Sequence, residues 1–473
     1  MAIIKSISGL RFTLDELKRS PFLIKQYAKA FHLYLPEGKI IIGRDGRPTG
    51  ISITEKLTNE LSRLGRELVL IDIVPTPTLQ LFVETHKAAG GICITASHNP
   101  ADWNGLKFIN SDGTFLNAEQ NKKLWGYLDK ETNYNCCHCE SNMEQSKGFF
   151  YTNNNAIVEH IDKILSLQFI NESIDAIKHY IKKNNIKFVI DAVNASGSVA
   201  VPMLLDRFGA DYEKLYCDNS GMFPHNPEPL PQHLTDLSDF IKNRNSIDSN
   251  YIGIAVDPDA DRLVLVDEDG NCVSEEKTIC IALDSFYTLN PHIKNNAVVN
   301  QSTTMLADWI AKKHNVSVER SAVGEINVVK SMQECNAKIG GEGSGGVILA
   351  DCHYGRDSLV GITLMLCLLS KKDTSLKDLI ITYPQYAMLK SKYNFDGNKD
   401  NLYNKIEEAN KNHIISKMDG IKIYYENGWV HIRTSNTEPI VRIIAEAENI
   451  LAAKHLIKEI IPILEQQKNT CMK

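Results

Sequence analysis

Long apolar runs are missing from this chain. The longest, residues 361–369 (GITLMLCLL), is about half of the ~20 residues that a membrane-spanning helix needs, so no membrane span is expected. A basic excess is missing too: 52 Lys and Arg stand against 58 Asp and Glu, a formal net charge of −6. Nucleic-acid binding draws on cations that displace counterions from phosphates, and that class is excluded. An anionic ligand must instead be met by local clusters of cations and backbone N–H groups. Low-complexity tracts are absent, and the opening MAIIKSISGLRF lacks the sustained apolar core and cleavage signature of a secretory leader. The eleven cysteines are mostly scattered singly, the pattern of reduced thiols in a cytoplasmic protein. Cys136-Cys137-His138-Cys139 is the exception. Adjacent side chains diverge and structural zinc sites need two or more residues between paired thiols, so this cluster reads as a polar inter-domain loop.

What is present is a repeated pattern. At 473 residues the chain is too long for one core and implies roughly three or four domains. Residues 39–42, 188–190 and 297–299 are β-rich apolar runs, each followed by a small polar loop and then by helical periodicity, as in 52–64 and 305–313. Strand, loop and helix recurring at this spacing predict α/β units around mixed or parallel sheets. The last hundred residues differ. Strand-like runs at 420–425, 429–433 and 441–445 precede an amphipathic helix at 450–464, the order of a smaller α+β domain. Polar stretches at 133–147 and 371–376 mark boundaries, and the expected domains are 1–145, 146–252, 253–372 and 373–473.

Two motifs carry chemistry. Thr95-Ala96-Ser97-His98-Asn99-Pro100 follows an apolar strand and precedes Trp103-Asn104-Gly105-Leu106-Lys107. Pro100 keeps Asn99 out of the helical region, which predicts an extended, exposed turn for Ser97. Asp257-Pro258-Asp259-Ala260-Asp261-Arg262 offers three carboxylates at alternate positions, which converge if the loop is extended. A hydroxyl able to carry phosphate beside a carboxylate cage for a hard cation is the apparatus of metal-assisted phosphoryl transfer, with Mg²⁺ the suited ion. His98 and Lys107 are candidates for proton transfer, and Arg262 for meeting a phosphate. An EF-hand calcium loop is excluded, because Arg262 stands where glycine is required and the flanks are strand-like. Two further loops add binding groups: Gly340-Gly341-Glu342-Gly343-Ser344-Gly345-Gly346, and Arg433-Thr434-Ser435-Asn436-Thr437-Glu438-Pro439. The second combines hydroxyls, an amide and a guanidinium, the groups of a phosphate pocket.

These four motifs, in this order, resemble the alpha-D-phosphohexomutase superfamily, and within it the bacterial phosphoglucosamine mutase branch. The resemblance implies a heart-shaped, four-domain enzyme, with three related α/β domains and a C-terminal α+β domain. It implies an isomerase in which a phosphoserine at 97 and a hexose bisphosphate intermediate exchange phosphate between two sugar hydroxyls, with Mg²⁺ held by Ser97, Asp257, Asp259 and Asp261. Catalytic hexose bisphosphate is the implied activator. Glu342 and Ser344 are the implied sugar contacts, and Arg433, Ser435, Asn436 and Thr437 the implied phosphate contacts. Asn436 replaces the usual glycine, a substitution that tolerates left-handed φ. Arg442 is a weaker candidate.

Three departures matter. Phe12 replaces a glycine in Ser8-Gly9-Leu10-Arg11-Phe12, while Arg11 keeps its place as a phosphate contact. Gly346 stands where many relatives have histidine. Glu325 stands where glucose- and mannose-selecting relatives often carry another histidine, and an acid there favours an ammonium-bearing sugar. The expected substrate is therefore glucosamine phosphate, with glucose or mannose phosphate as the alternative. Tyr354-Gly355-Arg356-Asp357 and residues 223–229 (FPHNPEP) fit the same branch, though Arg356 fits a structural ion pair equally well. A metal-dependent phosphatase and a non-catalytic sensor are the rival classes. The first is disfavoured by loops that hold a bisphosphate and exclude water, the second by the presence of Ser97 and all three aspartates. The partner is a small-molecule hexose or hexosamine phosphate, and the chain is expected as monomer or homodimer.

Overall fold

A computed structural model describes residues 3–7, 9–132, 148–244, 250–435 and 439–468. The cysteine cluster at 136–139, and Asn436 and Thr437 of the last loop, lie outside the described residues.

Among the described residues the strands form four sheets, and the first three share one plan. In the first, Ile40–Arg44 pairs in parallel with Leu68–Ile73 on one side and Gly90–Ile94 on the other, and Gly90–Ile94 then pairs antiparallel with Trp103–Asn110. The second repeats this with Ile186–Asp191 between Asp211–Tyr216 and Asn250–Val256, closed by antiparallel Leu263–Val266. The third repeats it with Ala297–Asn300 between Val318–Ser321 and Ile339–Glu342, closed by antiparallel Gly346–Leu349. A helix follows the first strand in each: Thr49–Arg63, Gly197–Phe208 and Leu306–Lys313. The central strands read IIIGR, IKFVID and AVVN and are almost wholly buried, as strands covered on both faces must be. Asn250–Val256 carries the chain across residue 252 within one sheet.

The fourth sheet is entirely antiparallel, in the order Ala387–Asn394, Ile440–Ala447, Gly428–Thr434, Ile421–Tyr425, Ile414–Ser416. It packs under Ile450–Lys468 around a core of its own. This is the α+β unit, beside three α/β units.

The apolar run at 361–369 lies in the helix Ser358–Lys372, where every residue from Ser358 to Leu369 is buried. The helix packs against Glu275–Leu289 and Ile174–Lys183, so its apolarity all round reflects a position between two domains. No helix among the described residues is long and apolar enough to cross a membrane.

Candidate active site

The shared plan places chemistry at one topological position. In each repeat the turn between the last parallel strand and its antiparallel neighbour bears a singled-out loop: 95–102, 257–262 and 343–345. The three turns face one cavity of about 450 Å³, which the fourth sheet closes with His431, Arg433, Arg442 and Ile444.

Ser97 is not on an exposed, extended turn. It is 1% exposed and adopts a left-handed φ of +51°. The shape is held by Arg47, a buried residue whose guanidinium donates to the carbonyls of Ser97 (2.7 Å), Asn99 (2.7 Å), Pro100 (2.7 Å) and Trp103 (3.0 Å). Asp45 holds Arg47 in turn, at 3.0 Å. Arg47 lies just past the small polar loop that follows residues 39–42, in none of the four motifs, and the sequence did not single it out. The Ser97 hydroxyl donates to Asp257 Oδ2 at 3.2 Å, and His98 Nδ1 lies 3.2 Å from the same Oγ.

Asp257, Asp259 and Asp261 converge, but not by alternation along an extended strand. Ala260 N bonds Asp257 O at 2.9 Å and Ala260 takes φ +49°, so a tight turn gathers the carboxylates. One oxygen from each lies within 4.8 Å of the others, and all three residues are buried. Asp259 Oδ1 and Asp261 Oδ1 have no hydrogen-bond partner among the described residues. Buried carboxylates left in this state call for a cation, and an all-oxygen set suits a hard divalent one. Burial, with Asp261 and Asp259 as like-charged neighbours, pushes the Asp257 carboxyl well above the usual range.

Lys107 Nζ lies 2.7 Å from Asp259 Oδ2 and 3.6 Å from Asp261 Oδ2. Burial alone would lower its pKa, but Asp259 and Asp261 outweigh that and hold it above the ordinary lysine value. Thr76, which the sequence did not single out, donates its hydroxyl to Asp259 Oδ2 at 2.8 Å. His98 shifts the other way. Arg262, then burial, then Arg11 drive it well below the ordinary histidine value, so its imidazole is neutral near pH 7. Arg262 sits 3.5 Å from Glu228 and 3.8 Å from Asp261, and Arg11 donates to Asn99 at 2.8 Å.

Across the cavity, Glu342 accepts from Asn300 Nδ2 (2.8 Å), Gly324 N (2.9 Å) and Arg356 Nη1 (2.8 Å). Arg356 also reaches Asp261 at 2.6 Å and Glu325 at 3.2 Å. It thereby ties the metal-type loop to both acids of the sugar-type loops, a larger part than an ion pair on one domain. Glu325 is buried, which raises its pKa against the pull of Arg356. Ser344 lines the cavity.

The cavity therefore gathers Arg11, Ser97, His98, Lys107, Arg262, Glu325, Glu342, Ser344 and Arg433, over a floor of the three aspartates. Ser435 stands behind Arg433, with its N–H bonded to Ile440 O at 2.8 Å. Phe12 is fully buried in the first domain's core. Lys390, Glu276, Asn300 and Ser302 also line the cavity and lie in no motif. Only the folded register of separate domains brings them there.

Comparison with known proteins matches all four units of the fold to one family. The phosphoglucomutase/phosphomannomutase alpha/beta/alpha domains I, II and III match residues 4–135, 159–270 and 274–386, and the C-terminal domain of the same family matches 396–462. A phosphoglucomutase/phosphomannomutase of Thermococcus kodakarensis is 31% identical, with 90% of each chain covered. A phosphoglucosamine mutase of Methanocaldococcus jannaschii is 32% identical over 90% of this chain and 92% of its own. A crystal structure of a phosphoglucomutase/phosphomannomutase family protein from Burkholderia thailandensis superposes with a TM-score of 0.79 over 98% of both chains, at 21% identity.

Proposed function

Because the chain belongs to the phosphoglucomutase/phosphomannomutase family, and is on that ground a phosphohexomutase and an isomerase, we propose that it interconverts glucosamine 6-phosphate and glucosamine 1-phosphate through a phosphoserine at 97. The observation that carries this reading is that Ser97 Oγ, 3.2 Å from Asp257, opens onto the same cavity as Glu325, Glu342, Ser344 and Arg433.

Arg433, with Ser435, Asn436 and Thr437, holds the phosphate that stays on the sugar, while Arg11 and Arg262 face the one that moves. Glu342 and Ser344 accept from and donate to sugar hydroxyls. A free hydroxyl of the sugar attacks the phosphorus on Ser97; the P–O bond to Ser97 breaks as the new one forms. The attacking hydroxyl loses its proton to neutral His98, and the imidazolium so formed, whose Nδ1 lies 3.2 Å from Ser97 Oγ, gives a proton to the departing serine oxygen and returns to neutral. Lys107, held charged by Asp259 and Asp261, offsets phosphate charge rather than acting as a base. The bisphosphate then turns over and the second transfer returns a phosphoryl group to Ser97. Asp257, Asp259 and Asp261, together with residue 97, would hold magnesium, which would supply charge stabilisation for the transferring group.

Glu325 and the Methanocaldococcus relative support the amino sugar, while the Thermococcus relative supports glucose or mannose phosphate with the same chemistry. The test is ³¹P NMR with Mg²⁺ and catalytic hexose bisphosphate, following glucosamine 6-phosphate, glucose 1-phosphate and mannose 1-phosphate in parallel. Isomerisation of glucosamine phosphate ahead of the others is expected. Preference for glucose or mannose keeps the chemistry and overturns the sugar, and release of free phosphate overturns the mutase reading.

A further inference from the structure

Behind the cavity, where the first three domains meet, lies a second group of metal-ligating side chains that phosphoryl transfer does not use. His160 comes from the helix Ala156–Ser166, Cys352 and His353 from the turn after Gly346–Leu349, and Asp357 from the residue that caps Ser358–Lys372. All four are buried, none more than 4% exposed. One donor atom from each lies within 4.8 Å of the others.

We propose that His160, Cys352, His353 and Asp357 form a structural zinc site that staples the second domain to the third, with the first held against it through Thr78. Four arguments carry it. The donors are two imidazoles, one thiol and one carboxylate, the soft and borderline set that selects zinc, whereas the three-aspartate site suits a hard ion. Their number matches the closed, four-coordinate form of a structural site. Their outer contacts already aim them inward. Thr78 Oγ1 sits 2.8 Å from His160 Nδ1, which turns Nε2 toward Asp357 Oδ2 at 2.7 Å. Asp357 Oδ1 accepts from the N–H groups of Leu359 (2.9 Å) and Val360 (3.3 Å), which leaves Oδ2 facing both His160 and His353, the latter at 3.0 Å. Ligating histidines are held in this way by their other ring nitrogen, and ligating carboxylates by their other oxygen.

The fourth argument is charge. A thiolate and a carboxylate cancel a divalent ion, so the loaded site is neutral, as a fully buried site must be. Zinc binding expels the Cys352 thiol proton, and the inward His160 nitrogen binds as a lone pair with its proton on Nδ1, donated to Thr78. Since Arg356 precedes Asp357, the ion also fixes the arginine that crosses the cavity.

The experiment uses the full chain, expressed in zinc-supplemented medium and purified without chelator. Mass spectrometry of the metal is expected to find one zinc per chain. Cys352→Ala is expected to bring this to background with a lower Tm, while Asp259→Asn keeps the zinc. The triple variant Cys136→Ser, Cys137→Ser, Cys139→Ser is also expected to keep it; loss there would assign the ion to the cysteine cluster and overturn the proposal. Should Cys352→Ala fail to fold, the triple variant expressed in cobalt-containing medium decides. A thiolate-to-cobalt charge-transfer band with tetrahedral d–d bands is expected, and their absence overturns the site in favour of a metal-free His160–Asp357–His353 hydrogen-bond network.

Discussion

Gly346 leaves its side-chain volume to Arg356: a Cβ built on Gly346 would lie 2.2 Å from Arg356 Cδ. The arginine uses that space to reach Asp261 at 2.6 Å, Glu342 at 2.8 Å and Glu325 at 3.2 Å. The histidine that many members of the superfamily carry after the sugar loop is therefore incompatible with this Arg356. The two departures from the family pattern, glycine at 346 and the acid at 325, meet in one side chain.

Gly346→Ala should accordingly displace Arg356 without removing any charge. A misplacement of about 1 Å in a positioning group costs on the order of 10²-fold in rate, and a loss of kcat/KM of that size with retained fold is expected. Steady-state kinetics beside circular dichroism checks it. Wild-type kcat/KM in the variant would show that Arg356 has room the structure denies it.

Arg356→Met goes further and strands three buried acids. Breaking a buried ion pair by removing one partner costs roughly 3–5 kcal/mol, so a marked drop in Tm is expected along with loss of activity. Arg356→Lys keeps the charge but loses the fork that spans three carboxylates, and it should fall between wild type and Arg356→Met in thermal melts. Equal melting temperatures for all three would remove Arg356 from the structural frame of the cavity.

How much of this was legible beforehand follows from the range over which each residue is specified. The repeated pattern that starts with the strands at residues 39–42, 188–190 and 297–299 was readable because β-branched runs and helical periodicity are local signals. So were Ser97 and the three aspartates, whose order within short motifs survives folding. Their conformations were not. Ser97 takes φ +51° and the aspartates converge by a turn at Ala260. The first is imposed from 50 positions away by Arg47, the second by a turn bond within the loop that alternation along a strand does not suggest. Thr76, Glu276 and Lys390 carry no motif, and their roles exist only once separate domains are docked. His160 and Asp357 are 197 positions apart yet in contact at 2.7 Å, a relation no local pattern encodes.

Glu325 offers a test of the sugar. Its carboxylate lines the cavity and faces Arg356, and burial raises its pKa. Glu325→Gln keeps the shape and removes the charge. Turnover of glucosamine phosphate is expected to fall about tenfold more than turnover of glucose phosphate, the worth of one charge-assisted hydrogen bond. Parallel kcat/KM measurements decide, and equal losses would rule out a role in reading an ammonium group.

His431 should make stability sensitive to mild acid. Its Nε2 donates to Asp419 O at 2.6 Å, which leaves Nδ1 to accept from Ser302 Oγ at 2.9 Å. Burial lowers its pKa from 6.5 to about 4. The unfolded chain thus binds a proton between these values that the folded chain does not, so the stabilisation is full above pH 6.5 and is lost as pH falls toward 4. The ceiling is about 3 kcal/mol. Chemical denaturation of wild type and His431→Gln at several pH values checks it. The gap between them should narrow on acidification, and a gap that widens would contradict the neutral tautomer.

Ser97→Ala separates chemistry from structure more cleanly than any other change. The left-handed turn at 97 is imposed by Arg47, which bonds backbone carbonyls and does not touch the serine side chain. Alanine meets the same backbone penalty as serine at φ +51° and gives up only the hydroxyl's 3.2 Å contacts to Asp257 and His98. Melting temperature and metal affinity at the aspartates should therefore change little, since the carboxylates keep Lys107 and Thr76 as neighbours. Activity should fall by on the order of 10⁴-fold or more, because the group that carries phosphate between the two hydroxyls is gone. Phosphate transfer from catalytic hexose bisphosphate to residue 97, followed by intact-mass measurement, should be seen in the wild type and be absent in the variant. If Ser97→Ala retained appreciable mutase activity with its fold intact, the phosphoryl group would have to travel by a route that does not pass through residue 97, and the phosphoserine reading would fall with it.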